Sequence, residues 1–111
     1  MKKWVCETCG YIHDGETPLL RCPLCGAPKD KFFLIPDDKS AVIERARITN
    51  ALLMKLASKF DKLAELAEKG MKENPDPSCK VIFNKVKSDA KVSGQMIKAE
   101  IQAHINKSIW G

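Results

Sequence analysis

The longest regular pattern in the sequence is an apolar stripe that begins near residue 40 and ends near residue 69. Its members recur at alternating steps of three and four, which places them on one face of an amphipathic helix. Asp37, Asp38 or Ser40 can cap the start of this helix, and Gly70 suits the left-handed residue that closes it. We therefore predict a first helix over about residues 39–70. The stripe consists of Val42, Ala46, Thr49, Leu53, Leu56, Phe60, Leu63 and Ala67.

A second apolar stripe follows a short segment rich in helix breakers, residues 73–78. Within this segment, Asp76 and Pro77 are typical of an N-cap and of the first position of a helix. We predict a second helix over about residues 77–109, and we favour one long helix, bent at Ser93-Gly94, over two shorter ones. The stripe consists of Ile82, Val86, Ala90, Ile97, Ile101, Ile105 and Ile109.

Two antiparallel helices with one apolar stripe each cannot fully bury both stripes between themselves. They need a third surface, which is either the N-terminal part of the chain or a second copy of the protein. A homodimer that forms a four-helix bundle is the simplest solution. We therefore expect an all-α helical hairpin that dimerises.

The first 36 residues lack this periodicity and are rich in cysteine, glycine and proline. The composition changes abruptly at Pro36-Asp37-Asp38 to alanine, leucine, lysine, glutamate and isoleucine. We place the domain boundary there. The prediction is a small metal-stapled β module of the zinc-ribbon type over residues 1–36, followed by the helical hairpin over residues 37–111.

Charge and apolar content narrow the classes of partner. The chain of 111 residues has a formal net charge of +5, and most of the excess is single lysines within the helical half. Nucleic acid is not an expected partner, because phosphate binding uses a concentrated basic face. No stretch approaches the roughly 20 apolar residues that span a bilayer, and the first residues do not resemble a signal peptide. We expect a cytoplasmic protein without a membrane partner.

Four of the five cysteines form two C-x-x-C pairs that are separated by twelve residues. Thiolates at this spacing grip one cation from a tight turn, and two facing turns complete a tetrahedron. Gly10 and Gly26 follow the second cysteine of each pair, where the chain must turn back and glycine tolerates positive φ. Backbone amides in such turns point at sulfur. The predicted metal ligands are Cys6, Cys9, Cys22 and Cys25.

The metal itself is either iron or zinc, because a tetrahedral set of four sulfurs suits both. Aromatic side chains close to the two pairs would form a water-poor shell that tunes a redox metal, or would simply supply the core of so small a module. These side chains are Trp4, Tyr11, Phe32 and Phe33.

The stretches "WVCETCGYIHDGE" and "RCPLCGAPKDKFF" resemble rubredoxin, and more closely the short rubredoxin-like domain of rubrerythrins. Shared features are the aromatic residue before Cys6, the C-x-x-C-G-Y and C-P-x-C-G motifs, and the short connection between them. The resemblance covers about residues 2–35. It implies a mononuclear iron centre with four cysteine ligands that cycles between the ferric and ferrous states.

The resemblance also implies roles for residues around the centre. Cys9 and Cys25, the second cysteine of each pair, would lie nearest the surface and form the electron port. Trp4 and Tyr11 would pack beneath it. The port and the surroundings of the cage would comprise Thr8, Gly10, Tyr11, Leu24, Gly26, Ala27 and Trp4.

The helical half does not carry the ligands of a rubrerythrin two-iron site. That site needs a Glu-x-x-His motif on each of two helices, whereas Glu100 and His104 are four residues apart. We interpret this pair as a helix-supporting contact, His13 as a surface residue and Cys79 as a small, partly buried hydrophobic residue.

The predicted function is one-electron transfer between a reductase and an oxidoreductase acceptor, with acceptors in peroxide or oxygen detoxification suggested. The partners would be redox proteins, and no catalytic residues or substrate turnover are expected. The alternative is a zinc-ribbon adaptor, in which structural Zn²⁺ holds the same cage and the helices bind a protein partner.

Overall fold

The computed structural model describes all residues from 1 to 111, as three short strands followed by two long helices. This confirms the predicted fold class, a small cysteine-containing β module followed by a helical hairpin. No helix combines the length and the apolar character that crossing a membrane requires. The elements are β1 (Lys3–Cys6), β2 (Ile12–Asp14), β3 (Phe32–Leu34), α1 (Asp37–Lys72) and α2 (Pro77–Asn106).

The three strands form one antiparallel sheet with β1 in the centre, in the order β2-β1-β3. Trp4 lies opposite His13 on one side and opposite Leu34 on the other. A short 3-10 turn over Lys29–Lys31 leads into β3. The sheet therefore brings the chain before the first cysteine pair next to the chain after the second pair.

The chain divides into two compact units, residues 1–47 together with 109–111, and residues 48–108. Helix α1 begins at the point where the composition changes, whereas the division between the units falls further along this helix. The first turns of α1 thus belong to the same unit as the sheet. The assignment of functional domains to residues 1–36 and 37–111 stays a prediction.

A network of charged side chains joins the sheet to the first turns of α1 within the first unit. Lys3 is only 2% exposed, and its ammonium group contacts Glu44 at 2.5 Å and Asp14 at 3.2 Å. Arg47 donates two hydrogen bonds to Asp14, at 2.5 and 3.0 Å, and its Nε donates to the backbone oxygen of Gly111. A buried ammonium group needs such partners, because burying an unpaired charge is costly.

In the second unit, α1 and α2 are antiparallel, since pairs across the hairpin run in opposite directions along the two helices. Asn50, near the start of the unit, contacts His104, and Glu68 accepts a hydrogen bond from Lys87. Small residues occupy much of the interface between the helices. Those that are buried include Ala67, Ala90 and Gly94.

The ends of the helices differ in part from the sequence-based expectation. Asp76 caps α2 as predicted, with its carboxylate accepting from the backbone N–H of Cys79 at 2.9 Å. The expected closure of α1 at Gly70 is wrong, because the helix continues to Lys72 and the residue with positive φ is Asn74, at 51°. Gly70 instead lies against the ring of Phe83, where an added Cβ would lie 2.5 Å from ring carbons.

Helix α2 runs without interruption through Ser93-Gly94, so the single long helix is the form adopted. It ends at Asn106, three residues before the predicted end at 109. Residues 109–111 belong to the first compact unit, so Ile109, the last member of the predicted stripe, lies outside the helix.

Candidate metal centre

The two cysteine pairs lie on loops with the same hydrogen bonds and the same turn geometry. In the first loop the N–H of Gly10 donates to the carbonyl of Cys6 at 2.8 Å. In the second loop the N–H of Gly26 donates to the carbonyl of Cys22 at 2.9 Å. Both glycines have positive φ, +84° and +77°, as their positions predicted. A residue with a Cβ would be strained at either position.

The loops bring the four sulfur atoms together, with all of them within 4.8 Å of one another. The Sγ atoms of Cys6 and Cys25 are 3.6 Å apart, and those of Cys9 and Cys22 are 3.5 Å apart. With metal–sulfur bonds of about 2.3 Å, the edges of a tetrahedron are about 3.8 Å long. The four sulfurs therefore fit one tetrahedral iron or zinc ion.

Backbone N–H groups surround the first cysteine of each pair. Burial raises the pKa of the Cys6 thiol, but hydrogen bonds from the N–H groups of Cys9 and Thr8 outweigh it and the pKa is lowered. Cys22 is buried in the same way, and the N–H groups of Cys25 and Leu24 help to lower its pKa to about 7. These donors stabilise negative charge on the two buried sulfurs.

The sulfur of the second cysteine of each pair accepts one backbone hydrogen bond. The N–H of Tyr11 lowers the pKa of Cys9, but burial and the neighbouring thiols together raise it to about 12. The N–H of Ala27 acts on Cys25 in the same way, and the pKa of that thiol is also raised. Protons retained on these sulfurs would be released when a metal ion binds, so metal affinity should fall at lower pH.

The two halves of the cluster differ in exposure. Cys6 and Cys22 are buried, whereas Cys9 is half-buried and Cys25 is exposed. Of the residues proposed to border an electron port, Thr8 and Leu24 are exposed and Ala27 is half-buried. The port itself stays a prediction, and these exposures place its proposed residues at the surface of the module.

The aromatic residues are divided between the core and the surface. Trp4 and Tyr11 are half-buried and pack against the core formed by Cys6, Cys22 and Phe32. The indole N–H of Trp4 donates to the carbonyl of Gly15 at 3.0 Å. Phe33 is 51% exposed, because neighbouring residues on a strand point to opposite faces of the sheet. Only one of the two adjacent phenylalanines therefore belongs to the shell around the sulfurs.

Two residues that support the cluster were not predicted. Leu19 packs against the cysteine core from the connection between the loops. Arg21 donates to the carbonyl of Gly26 at 3.1 Å and thereby braces the second loop. The only sequence feature that could have indicated this supporting role is their position shortly before Cys22. Neither leucine nor arginine is diagnostic of it.

The other candidate residues have partners of their own. His13 lies half-buried on β2. His104 contacts Glu100 at 3.0 Å and Asn50 at 2.5 Å, which supports its interpretation as a structural pair. Cys79 is half-buried, and the carboxylate of Asp76 raises the pKa of its thiol. The group of side chains arranged for metal binding consists of Cys6, Cys9, Cys22 and Cys25.

Comparison with known proteins agrees with this geometry. Residues 4–33 match the family model of the rubredoxin-like domain of rubrerythrin. Reverse rubrerythrin-1 of Clostridium acetobutylicum is 53% identical over 38 residues, which are 34% of this chain and 21% of that protein. A putative rubrerythrin of Methanocaldococcus jannaschii is 40% identical over 37 residues, which are 33% and 18% of the two chains.

Rubrerythrin of Nitratidesulfovibrio vulgaris is 46% identical over 33 residues, 30% of this chain and 17% of that protein. The chain thus spans about a fifth of the length of these relatives, and the matches lie in the cysteine module. No solved structure matches the chain significantly. The predicted resemblance is confirmed for this segment, which is a rubredoxin-like domain with a site for iron or zinc.

Proposed function

We propose that this protein is a one-electron carrier that binds a single iron ion through Cys6, Cys9, Cys22 and Cys25. The observation that carries the proposal is the cluster of four sulfurs, set in two equivalent loops whose backbone N–H groups point at sulfur. Iron held in this way supplies a one-electron couple between its ferric and ferrous states. The match to a rubredoxin-like domain supports iron over zinc.

The protein contributes a rigid cage with charge-stabilising donors. The N–H groups of Thr8 and Cys9 stabilise negative charge on Cys6, and those of Leu24 and Cys25 do the same for Cys22. Such donors favour the more negative, reduced state and therefore raise the reduction potential. The half-buried Trp4 and Tyr11 limit access of water to the buried sulfurs.

Electrons would enter and leave on the side of Cys9 and Cys25, the more exposed sulfurs of the cluster. Leu24 lies next to Cys25 in sequence and is largely exposed, which favours a partner that docks through an apolar patch. The partners would be a reductase and an acceptor oxidoreductase, with acceptors in peroxide or oxygen detoxification proposed from the resemblance.

We infer that the chain relays electrons rather than converting a substrate of its own. The matched segment covers about a fifth of the length of the relatives, and the remaining four fifths is not matched by this chain. Their activity as whole proteins is therefore not carried over to this chain.

Metal content and redox behaviour test this function. The protein isolated from its own host should contain one iron per chain, show a red colour that dithionite bleaches, and give a reversible one-electron wave in voltammetry. Cys79→Ser is the control and should leave all three properties unchanged. A colourless zinc protein from the native host, silent in voltammetry after iron loading, would contradict electron transfer and favour a structural adaptor.

A further inference from the structure

The two helices of the second unit contact each other through one row of residues on each helix. On α1 this row follows alternating steps of three and four and includes Leu53, Ala57, Phe60, Ala64 and Ala67, which are buried or half-buried. The corresponding row on α2 includes Phe83, Lys87, Ala90, Gly94 and Ile97. Each helix therefore has two flanks, formed by the residues one position after and one position before its contact row.

The flank that follows the contact row is mostly polar on both helices, and Met54 is its one exposed apolar residue. Asp61 on α1 and Lys91, Gln95 and Lys98 on α2 each come one residue after a contact residue. These four side chains line one groove, which has Phe60 among its other residues. The following flanks of both helices therefore lie on one face of the hairpin, which we call the polar face.

The flank that precedes the contact row is apolar on both helices, and it must lie on the opposite face of the hairpin. Seven large apolar side chains occupy it, and they are 38–67% exposed. We call this surface the apolar face. It consists of Leu52, Leu56, Leu63 and Leu66 on α1 and Ile82, Val86 and Met96 on α2.

The size of the apolar face lies at the upper end of what a monomer usually leaves in water. The seven side chains together expose on the order of 600 Å², whereas the largest apolar patch of a typical monomer is about 300–600 Å². A stable protein–protein interface buries about 800 Å² on each partner, and polar atoms at the rim would supply the remainder. The exposed area therefore matches one side of a complete interface.

The charges within the apolar face favour a second copy of the chain as the occupant. Lys59 interrupts the row on α1, and Asp89 interrupts the row on α2. When a second copy lays its α2 row along this α1 row, the only charge in one row is a cation and the only charge in the other is an anion, which also pairs with Lys85 of its own helix at 3.0 Å, so no like charges face each other. A self-complementary face of this kind is the requirement of a two-fold symmetric dimer.

We propose that the protein is a two-fold symmetric homodimer in which the apolar faces of two hairpins pack together as a four-helix bundle. The polar faces remain in water on the outside of the bundle. The proposal is independent of the metal and of the electron-transfer function. It assigns the helical unit a role in assembly and names the face that carries it.

Sedimentation equilibrium of the metal-loaded protein tests the proposal. The natural sequence should have twice the mass of one chain. The double variant Leu63→Glu/Leu66→Glu places two charges in the interface and should raise the dimer dissociation constant at least about 100-fold, because burying unpaired charges is costly. The matched control Ser58→Glu/Gln95→Glu adds the same two charges to the polar face and should remain dimeric.

Far-UV circular dichroism shows whether each variant keeps its helices. If the double variant loses helicity, Met96→Glu provides an independent test, because Met96 is 67% exposed and lies on the other helix of the same face. It too should weaken the dimer. A natural protein that sediments as a monomer at 100 µM, or a dimer that withstands Met96→Glu, would overturn the proposal.

Discussion

The cysteine module and the helical hairpin both have small cores, but they differ in which side chains form the core and which remain exposed. The module closes on itself, since its core is two cysteines and one phenylalanine and its loops converge on four sulfurs. The hairpin buries small residues between its helices and leaves seven large apolar side chains exposed on one face. One region is completed by a metal ion and the other, as we propose, by a second chain.

Exposed apolar residues therefore have a different meaning in each region. In the module, strands too short to enclose a core leave Phe33 and Leu34 half-exposed at the surface. Domains this small are usually stabilised by metals or disulfides rather than by apolar burial. In the hairpin, the exposed leucines are ordered in rows on one face, which is the signature of a surface that another element covers.

The largest effect should come from removing a buried sulfur ligand. We expect Cys22→Ser to abolish tight metal binding and to unfold the sheet of the module, because a structural metal contributes folding free energy directly. Metal analysis and the NMR spectrum of residues 1–35 would show the loss, while the helical signal at 222 nm persists. Cys79→Ser is the control. Loss of the helical signal together with the sheet would show that the helices also depend on the metal.

The next largest effect should come from the buried ammonium group of Lys3. Lys3→Met keeps the apolar stem but leaves Asp14 and Glu44 with Arg47 as their cationic partner. We expect a loss of about 1–3 kcal/mol in the stability of the first unit, less than for fully buried pairs because both carboxylates are partly exposed. Denaturant unfolding followed by the absorbance of the metal site measures it, with Lys2→Met as the control.

Acid should weaken the same network. Hydrogen bonds from Arg47 and from Lys3, the larger effect being that of Arg47, lower the pKa of Asp14 from 3.8 to about 2. The Asp14 carboxylate therefore takes up a proton more readily in the unfolded chain than in the folded one. Its contribution to the free energy of unfolding is full above pH 4 and is lost as the pH falls towards 2. The stability difference between the natural protein and Asp14→Asn should narrow over that range. A difference that is constant with pH would contradict this role.

The space around two glycines of the hairpin differs, since Gly70 is closely packed and Gly94 is not. An added Cβ at Gly70 would lie 2.5 Å from the ring of Phe83, whereas at Gly94 the nearest atom is the Cβ of Phe60 at 4.0 Å. We expect Gly70→Ala to destabilise the helical unit by about 1–2 kcal/mol, because the ring must move. Gly94→Ala should stabilise it by up to about 1 kcal/mol through helix propensity. Thermal unfolding at 222 nm compares the two variants, and equal shifts would contradict the assignment.

The smallest effect should come from the cap of α2. Asp76→Ala removes the carboxylate that accepts from the backbone N–H of Cys79. A cost of about 1 kcal/mol is typical for the loss of an N-cap. The same change should lower the pKa of Cys79, because the carboxylate holds it above its usual value. Thiol reactivity as a function of pH measures this shift, and an unchanged profile would contradict it.

Local patterns were enough to predict much of the candidate site and the order of the elements. The spacing of the cysteines and the glycines after them predicted the two loops and the cluster of four sulfurs. Asp76-Pro77 predicted the start of α2, and the change in composition after Pro36 coincides with the start of α1. The loops, the cap and the change in composition each depend on residues within a few positions of one another, and the repeat of the same C-x-x-C pair indicates that the two loops bind one ion together.

Features that depend on distant residues were not predicted. Nothing around Lys3 indicates that it is buried, because its partners Asp14 and Glu44 come from another strand and from a helix. Gly70 looked like a helix terminus, and only the ring of Phe83 across the hairpin explains it. Apart from Ile109, the apolar stripes were placed correctly on helices, but periodicity alone did not separate the contact rows from the exposed rows beside them.

The chemistry of the cluster and the positions of turns and helices follow from the amino-acid sequence, since thiol spacing, glycine and proline act through the local backbone. The folded structure is needed to show which charges are buried together, how closely the helices approach and which leucines face outward. These outcomes depend on contacts between segments far apart in the chain. Their free energies become defined only when the folded backbone brings the segments together.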